Sequence, residues 1–346
     1  MKKLKVALVC LPETEASTLY GVADALAASG GLWRAMVGAG ADPECAFAPF
    51  TVGTEAGQVM TSFGFPVVAQ KSFDQAEAPD IVYIPSLLVS DIMEFSEKYR
   101  ATSEWIREQY QRGALIAAAC SGALLLAETG LLDGAEATSH WAAAPALRQR
   151  HPDIRLIEQR ILCFAGDGHR LVTAGGSSSW QDLCLYLIMR FAGMETAREV
   201  SRLFLFQWHL DGQSPYSVLQ RNVTHEDAVI SAAQVWLGDN YDQPGALSDA
   251  IAGSGLNPRT FNRRFNAATG YAPSAYLQQL RTEEAKQLLE TTAMPIVEIA
   301  ESVGYTDETS FRRLFKKQVG MTPANYRRKF KFPTRQQLER QGGTRA

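Results

Sequence analysis

Asn257-Pro258-Arg259-Thr260-Phe261-Asn262-Arg263-Arg264-Phe265 is the stretch on which the reading of this 346-residue chain turns. Asn257 is a helix cap, and Pro258 suits the first helical position because its missing N–H is not needed there. The helix so started runs over 258–268. Phe261 and Phe265 stand four residues apart, one turn of helix, and share a face that predicts burial. Arg259, Thr260, Asn262 and Arg263 are left as the polar side chains available for contact. Upstream, 247–253 predicts a short helix, and Gly253, Gly255 and Asn257 predict the turn between the two helices.

The same unit returns 50 residues later as Phe311-Arg312-Arg313-Leu314-Phe315, with Gly320, Pro323 and Tyr326 echoing Gly270, Pro273 and Tyr276. Here 296–303 predicts the short helix, Gly304-Tyr305-Thr306 the turn, Asp307 the cap and 308–319 the second helix. Thr309, Ser310, Arg312, Arg313, Lys316 and Lys317 lie away from the phenylalanines. Short helix, glycine-containing turn and basic helix form the arrangement that lays its second helix in a major groove. Between the units, 273–291 predicts one helix about 28 Å long. Successive major grooves on one face of DNA lie roughly 34 Å apart, so such a rod suits two helices one turn apart. Arg, Asn, Ser and Thr can read base edges, while Lys and Arg neutralise phosphate.

The charge distribution agrees with this division. The whole chain carries a net charge of only −3, but residues 1–236 hold 18 basic and 26 acidic side chains, and the remainder 16 and 11. A net of −8 in one part against +5 in the other marks the helical end as the nucleic-acid-binding one. At 46% hydrophobic, the chain can bury a core. No apolar run approaches the roughly 20 residues that span a bilayer. The five cysteines (10, 45, 120, 163 and 184) are odd in number and lack metal-ligand spacing. They predict reduced thiols in a cytoplasm. His151, His169 and His209 form no ligand-spaced set with Cys10, Cys45, Cys163 and Cys184, so no metal site is expected, and no cofactor is expected either.

The helical end resembles the AraC/XylS-type DNA-binding domain over residues 226–330. The resemblance is carried by 257–265, by Ile299-Ala300-Glu301-Ser302-Val303-Gly304-Tyr305, and by Gly320-Met321-Thr322-Pro323-Ala324-Asn325-Tyr326-Arg327. It implies a transcriptional regulator, often an activator, with promoter DNA and RNA polymerase as partners.

The acidic part alternates short apolar runs with helical patterns. Runs at 4–11, 47–52, 81–85, 114–119 and 171–174 predict strands, and 17–29, 103–111 and 123–128 predict helices. Continuous short apolar strands between helices argue for a flavodoxin-like α/β domain, a parallel sheet with helices on both faces. Within it, Leu115 to Ala119 leads into Cys120-Ser121-Gly122, with a helix from Ala123. Small residues two before and two after an exposed side chain, at a strand-to-helix reversal, predict a nucleophile elbow. The helix terminus would favour a thiolate at Cys120, and His140 could serve as its base.

This part resembles the PfpI-like branch of the class I glutamine amidotransferase-like superfamily over residues 4–192. The matching motifs are Ala118-Ala119-Cys120-Ser121-Gly122, Gly130-Leu131-Leu132-Asp133-Gly134, Thr138-Ser139-His140-Trp141 and Leu171-Val172-Thr173-Ala174-Gly175-Gly176. Enzymes of that branch often carry a glutamate just before the first helix. Here Ser17 aligns with it, and Glu13 and Glu15 lie out of register, which counts against enzymatic activity. Regulators that join such a domain to an AraC-type domain use the old cleft as a sensor. Gly212-Gln213-Ser214-Pro215-Tyr216 resembles the joint between the two. The resemblance implies a pocket lined by Cys120, Ser121, His140, Trp141 and Glu13, taking a small effector such as an amino acid or a quaternary amine.

The expected organisation is a sensor and dimerisation domain over 1–211, a linker over 212–225, an all-α double helix-turn-helix domain over 226–332 and a tail over 333–346. A helix is expected over 195–210. The expected function is ligand-responsive transcriptional regulation by a cytoplasmic homodimer with no catalytic residues and no membrane association. A cysteine amidase tethered to DNA and a redox regulator acting through Cys120 are the competing readings.

Overall fold

The computed structural model describes residues 3–40, 45–89, 95, 97–219, 225–333, 335, 337 and 339. The chain falls into two compact units, Met1–Gln213 and Ser214–Ala346.

The first unit is built on a seven-stranded sheet. Its strands are β1 (Leu4–Val9), β2 (Phe47–Gly53), β5 (Lys71–Ser72), β6 (Ile81–Ile84), β7 (Leu115–Ala119), β10 (Leu162–Ala165) and β11 (Leu171–Ala174), in the order β10-β11-β7-β6-β1-β2-β5. All neighbours run parallel except β10 and β11. Alternation along β1 explains its continuous apolar run. Val6 and Leu8 join one core and Ala7 and Val9 the other, so both faces are buried. The first core packs under α1 (Ala16–Ala28) and α6 (Trp180–Ala192). The second packs under α3 (Arg100–Gln111) and α4 (Gly122–Ala127). Two shorter helices, α2 (Leu32–Met36) and α5 (Ala144–Arg150), complete this unit's connections.

Six strands escaped the apolar-run reading, among them the two-residue edge strand β5. The hairpin of β3 (Gly57–Met60) and β4 (Pro66–Ala69) and the edge strand β10 have mixed exposure, so they lack a continuous hydrophobic run. The short pair β8 (Glu136–Ala137) and β9 (Arg155–Leu156) is only two residues per strand. The helix expected over 195–210 is shorter. It is α7 (Met194–Phe204), and it stops because Leu205 takes a left-handed conformation at φ 57°. Phe206 then packs edge-on against Trp180, and His209 bonds Asp182, which fixes the following residues as a strap across α6.

The second unit is helical: α8 (Ala228–Asp239), α9 (Ala246–Gly253), α10 (Pro258–Thr269), α11 (Pro273–Thr291), α12 (Ile296–Ser302), α13 (Glu308–Val319) and α14 (Pro323–Phe330). The caps are those the sequence specifies. Asn257 accepts the Thr260 N–H at 2.9 Å, and Asp307 accepts those of Thr309 and Ser310 at 3.0 and 2.9 Å. Two small cores result. Phe261 and Phe265 fill one and Phe311 and Phe315 the other. The helix α11 serves both, giving Tyr276, Leu277 and Leu280 to the first and Ala285 and Leu289 to the second. Gly304 is required in the second turn: at φ 85°, a Cβ there would lie 2.5 Å from the Asp242 carbonyl oxygen.

Candidate functional site

The cleft of the first unit lies at the carboxyl ends of the parallel strands, where open α/β sheets take their ligands. Cys120 ends β7 with φ 56°, a left-handed conformation rare for a side-chain-bearing residue. Its N–H donates to the Ala174 carbonyl at 2.9 Å, and its carbonyl accepts the Ser139 hydroxyl at 3.0 Å. The crowding that demands small residues is measurable. A Cβ on Gly122 would stand 2.3 Å from the Pro85 carbonyl oxygen.

Around this elbow is a cavity of about 470 Å³, lined by Glu15, Phe63, Ser86, Cys120, His140 and Ser177 among others. That volume is in the range of small-molecule sites. The Cys120 sulfur has the Ser177 hydroxyl 3.8 Å away. Burial pushes the His140 imidazole down, with the Glu15 carboxylate opposing the shift. His140 Nδ1 accepts the Ala142 N–H at 3.0 Å, so in the neutral ring the proton sits on Nε2. Ser121 also lines the cavity, but its hydroxyl is committed to Leu87, donating to the carbonyl at 2.5 Å and accepting the N–H at 3.0 Å.

Two residues expected in the pocket sit elsewhere. Glu13 holds Lys98 at 2.8 Å and accepts the Tyr99 hydroxyl, which takes its carboxylate out of the lining. Trp141 is half-buried, its ring centroid 5.1 Å from that of His140, and it is not part of the cavity wall. Glu15 takes the acidic place. It is the N-cap residue of α1, with its N–H donating to the Ser86 carbonyl at 2.9 Å. Residue-by-residue register put Ser17 there; the usable signal was that Glu15 immediately precedes the helix. Phe63 was also missed, because it arrives from a loop distant in sequence. Cys10 and Cys184 take no part: both are core thiols, pushed by burial to about 12. Among the described residues, no cluster of three or more His, Cys, Asp or Glu could hold a metal ion. Among those residues, no helix is long and apolar enough to cross a membrane.

In the second unit, the equivalent stretches 261–270 and 311–320 have the same burial sequence, position for position. Arg259, Asn262 and Arg263 are exposed on α10, and Thr309, Arg312, Arg313, Lys316 and Lys317 on α13; Thr260 and Ser310 are half-buried. Arg264, beside Arg263, is different: it forks onto Asp227 at 2.8 and 2.7 Å and pulls that carboxyl down to about 2. Arg312 is held by Glu308 one turn back at 2.7 Å. Arg259, Arg263, Arg313, Lys316 and Lys317 make no ion pair among the described residues.

An α/β domain with a cysteine at its elbow, followed by paired helix-turn-helix units with basic outer faces, defines a two-part DNA-binding protein. The DJ-1/PfpI family profile matches residues 4–190, and a helix-turn-helix domain profile matches 252–329. The chain belongs to the DJ-1/PfpI family and carries an AraC-type helix-turn-helix domain. It is similar to the HTH-type transcriptional regulator GbdR of Pseudomonas aeruginosa, 25% identical over 80% of this chain and 74% of that protein. It is also similar to the HTH-type transcriptional regulator GlxA of Rhizobium meliloti, 27% identical over 66% of this chain and 70% of the relative. The crystal structure of a candidate transcriptional regulator from Vibrio parahaemolyticus matches 59% of this chain and all of that one, with 20% identity and a TM-score of 0.50, a likeness of fold.

Proposed function

We propose that this chain is a cytoplasmic, ligand-responsive transcriptional regulator. It binds promoter DNA through α10 and α13, as a homodimer, and activates transcription by engaging RNA polymerase. The observation that carries the reading is the repeated burial pattern of 261–270 and 311–320, which leaves Arg263 and Arg313 bare at equivalent positions. GbdR and GlxA, which span both units, are themselves named as transcriptional regulators. The 226–332 segment is the DNA-binding part, 1–211 senses and dimerises, and 212–225 links them; residues 220–224, and most of the 333–346 tail, lie outside the described residues.

The effector enters the cavity at Cys120. Its class is a small organic cation or an amino acid: Glu15 supplies a carboxylate and Phe63 an aromatic wall, the pairing that suits an ammonium group. The test is a thermal-shift screen of amino acids, choline and tetramethylammonium against the whole chain. A ligand that binds the folded state raises the apparent melting temperature. If no compound does so at millimolar concentration, the effector reading fails.

One observation favours a second reading, a cysteine hydrolase: Cys120, His140 and Glu15 line the same cavity. Against it, the described residues contain no hydrogen bond between the Cys120 sulfur and His140, the contact an activated thiol needs. Turnover of simple amides or esters, abolished by Cys120→Ala, would replace the regulatory reading of the cleft.

A further inference from the structure

The first unit ends in a strap, residues 205–213, that is fastened to α6 and to the loops around 138–139 and 159–160. Phe206 packs on Trp180 with ring centroids 5.2 Å apart. The His209 N–H and Nδ1 meet the buried Asp182 carboxylate at 2.8 and 2.7 Å. Trp180 and Asp182 lie in the first turn of α6, which follows the short 3-10 turn Ser177–Ser179; of that turn, Ser177 lines the cavity. The final fastening is Gln213. Its N–H donates to the Gln159 carbonyl at 3.1 Å, and Gly212 has no room for a side chain, since a Cβ would lie 2.3 Å from that same oxygen.

Gln213 is buried, 2% exposed. Its Nε2 donates to the Ser139 carbonyl at 2.8 Å, the Thr138 hydroxyl at 3.1 Å and the Arg160 carbonyl at 3.2 Å. Ser139 in turn donates to the Cys120 carbonyl at 3.0 Å, so two hydrogen bonds and one residue connect Gln213 to the elbow. Gly175 packs flat against the amide, with space for no Cβ. The Oε1 has no hydrogen-bond partner among the described residues. It lies 3.8 Å from where a Cβ of Gly176 would stand, and His140 Cδ2 is 3.8 Å from the same point. Of the four buried side-chain polar atoms without a partner among the described residues, this is the one on a residue hydrogen-bonded to Ser139, which holds the Cys120 carbonyl. The next residue, Ser214, begins the helical unit, within which the buried Lys286 ammonium donates to the Ser217 carbonyl at 2.5 Å.

We propose that Gln213 is the positioning residue that passes the state of the Cys120–His140 cleft to the DNA-binding unit. Occupation of the cleft presses on the Gly175–Ser177 loop. A small movement of that loop offers a backbone N–H to the bare Oε1, draws the amide toward it, and shifts the backbone at 213 and hence at 214–219. The element has two arrangements, with Oε1 bare or bonded, and the ligand biases one of them. The inference rests on the sensor reading of the cleft, but its test needs no effector.

The test fills the cleft by substitution in the whole chain. Ser177→Trp is made alone and together with Gln213→Met, which keeps the side chain's length and removes the amide. Two quantities are read: deuterium uptake of 214–219, and affinity for a duplex selected from random sequence by the native chain. Ser177→Trp is expected to change uptake and to move affinity at least threefold when Gln213 is present, and to do neither in the Gln213→Met background. An equal response in both backgrounds, or none in the native one, overturns the proposal. His140→Ala, which empties the cleft, and Gln213→Glu, which keeps the oxygen and loses the Nε2 donor, serve if a first variant does not fold. A chain that selects no duplex defeats the regulatory reading, while deuterium uptake still decides the coupling.

Discussion

Single residues in this protein divide by what their neighbours leave them free to do. Gly122 is dictated by the backbone around it. Gly122→Ala pushes a methyl group to 2.3 Å from the Pro85 oxygen, so a loss of about 1–3 kcal/mol is expected in denaturant unfolding of the first unit. An unchanged midpoint would mean that the turn yields easily. Arg263 and Arg264 are adjacent and read alike in sequence, yet Arg264 is tied to Asp227 and Arg263 is not. Asp227 has a folded-state pKa of about 2, below the ordinary carboxylate value, so its ionised form stabilises the fold above about pH 4. That contribution fades as the pH falls from about 4 through 2. Asp227→Asn keeps a cap for α8 and removes the charge. The difference in melting temperature between native and variant is expected to be largest at neutral pH and to vanish below about pH 2; a constant difference would deny the ion pair its role.

Helices α10 and α13 are the elements that should touch DNA. Arg263→Ala and Arg313→Ala are each expected to weaken operator binding by about 1–3 kcal/mol if they read bases, with the unfolding transition unchanged. Lys316→Ala and Lys317→Ala should weaken binding to all sequences and lower the slope of log affinity against log salt by about 1 each. Unchanged gel shifts for both arginine variants would remove α10 and α13 from the interface. Strands show the converse. Those buried on both faces were legible because almost every residue in them is apolar. The β3–β4 hairpin and β10 were not, because edge pieces with mixed exposure carry no continuous run. The end of α7 was not legible either, since nothing local forbids helix at 205–210; Phe206 on Trp180 and His209 on Asp182 decide it.

At the scale of the molecule, the proposed homodimer predicts a two-to-one complex of chain to operator in sedimentation, with half-sites one or more helical turns apart. A one-to-one complex at saturating protein would leave dimerisation outside the mechanism. The helical unit was almost wholly legible. Its helices, caps and phenylalanine faces are local patterns, and its small cores join helices close in sequence. The elbow was legible for the same reason, being one strand, one turn and one helix. The cleft was not. It is assembled from residues 15, 63, 86, 120, 140 and 177, brought together only by the crossovers of a parallel sheet. A register error of two residues therefore exchanged Ser17 for Glu15, and Glu13 went to Lys98 and Tyr99. Sequence by itself determined the class of each half, because helix periodicity, capping and small-residue turns are short-range physics. Only tertiary structure decided which acid faces the cysteine and where Gln213 is anchored, because those contacts join segments far apart along the chain, 75 residues in the case of Gln213 and Thr138.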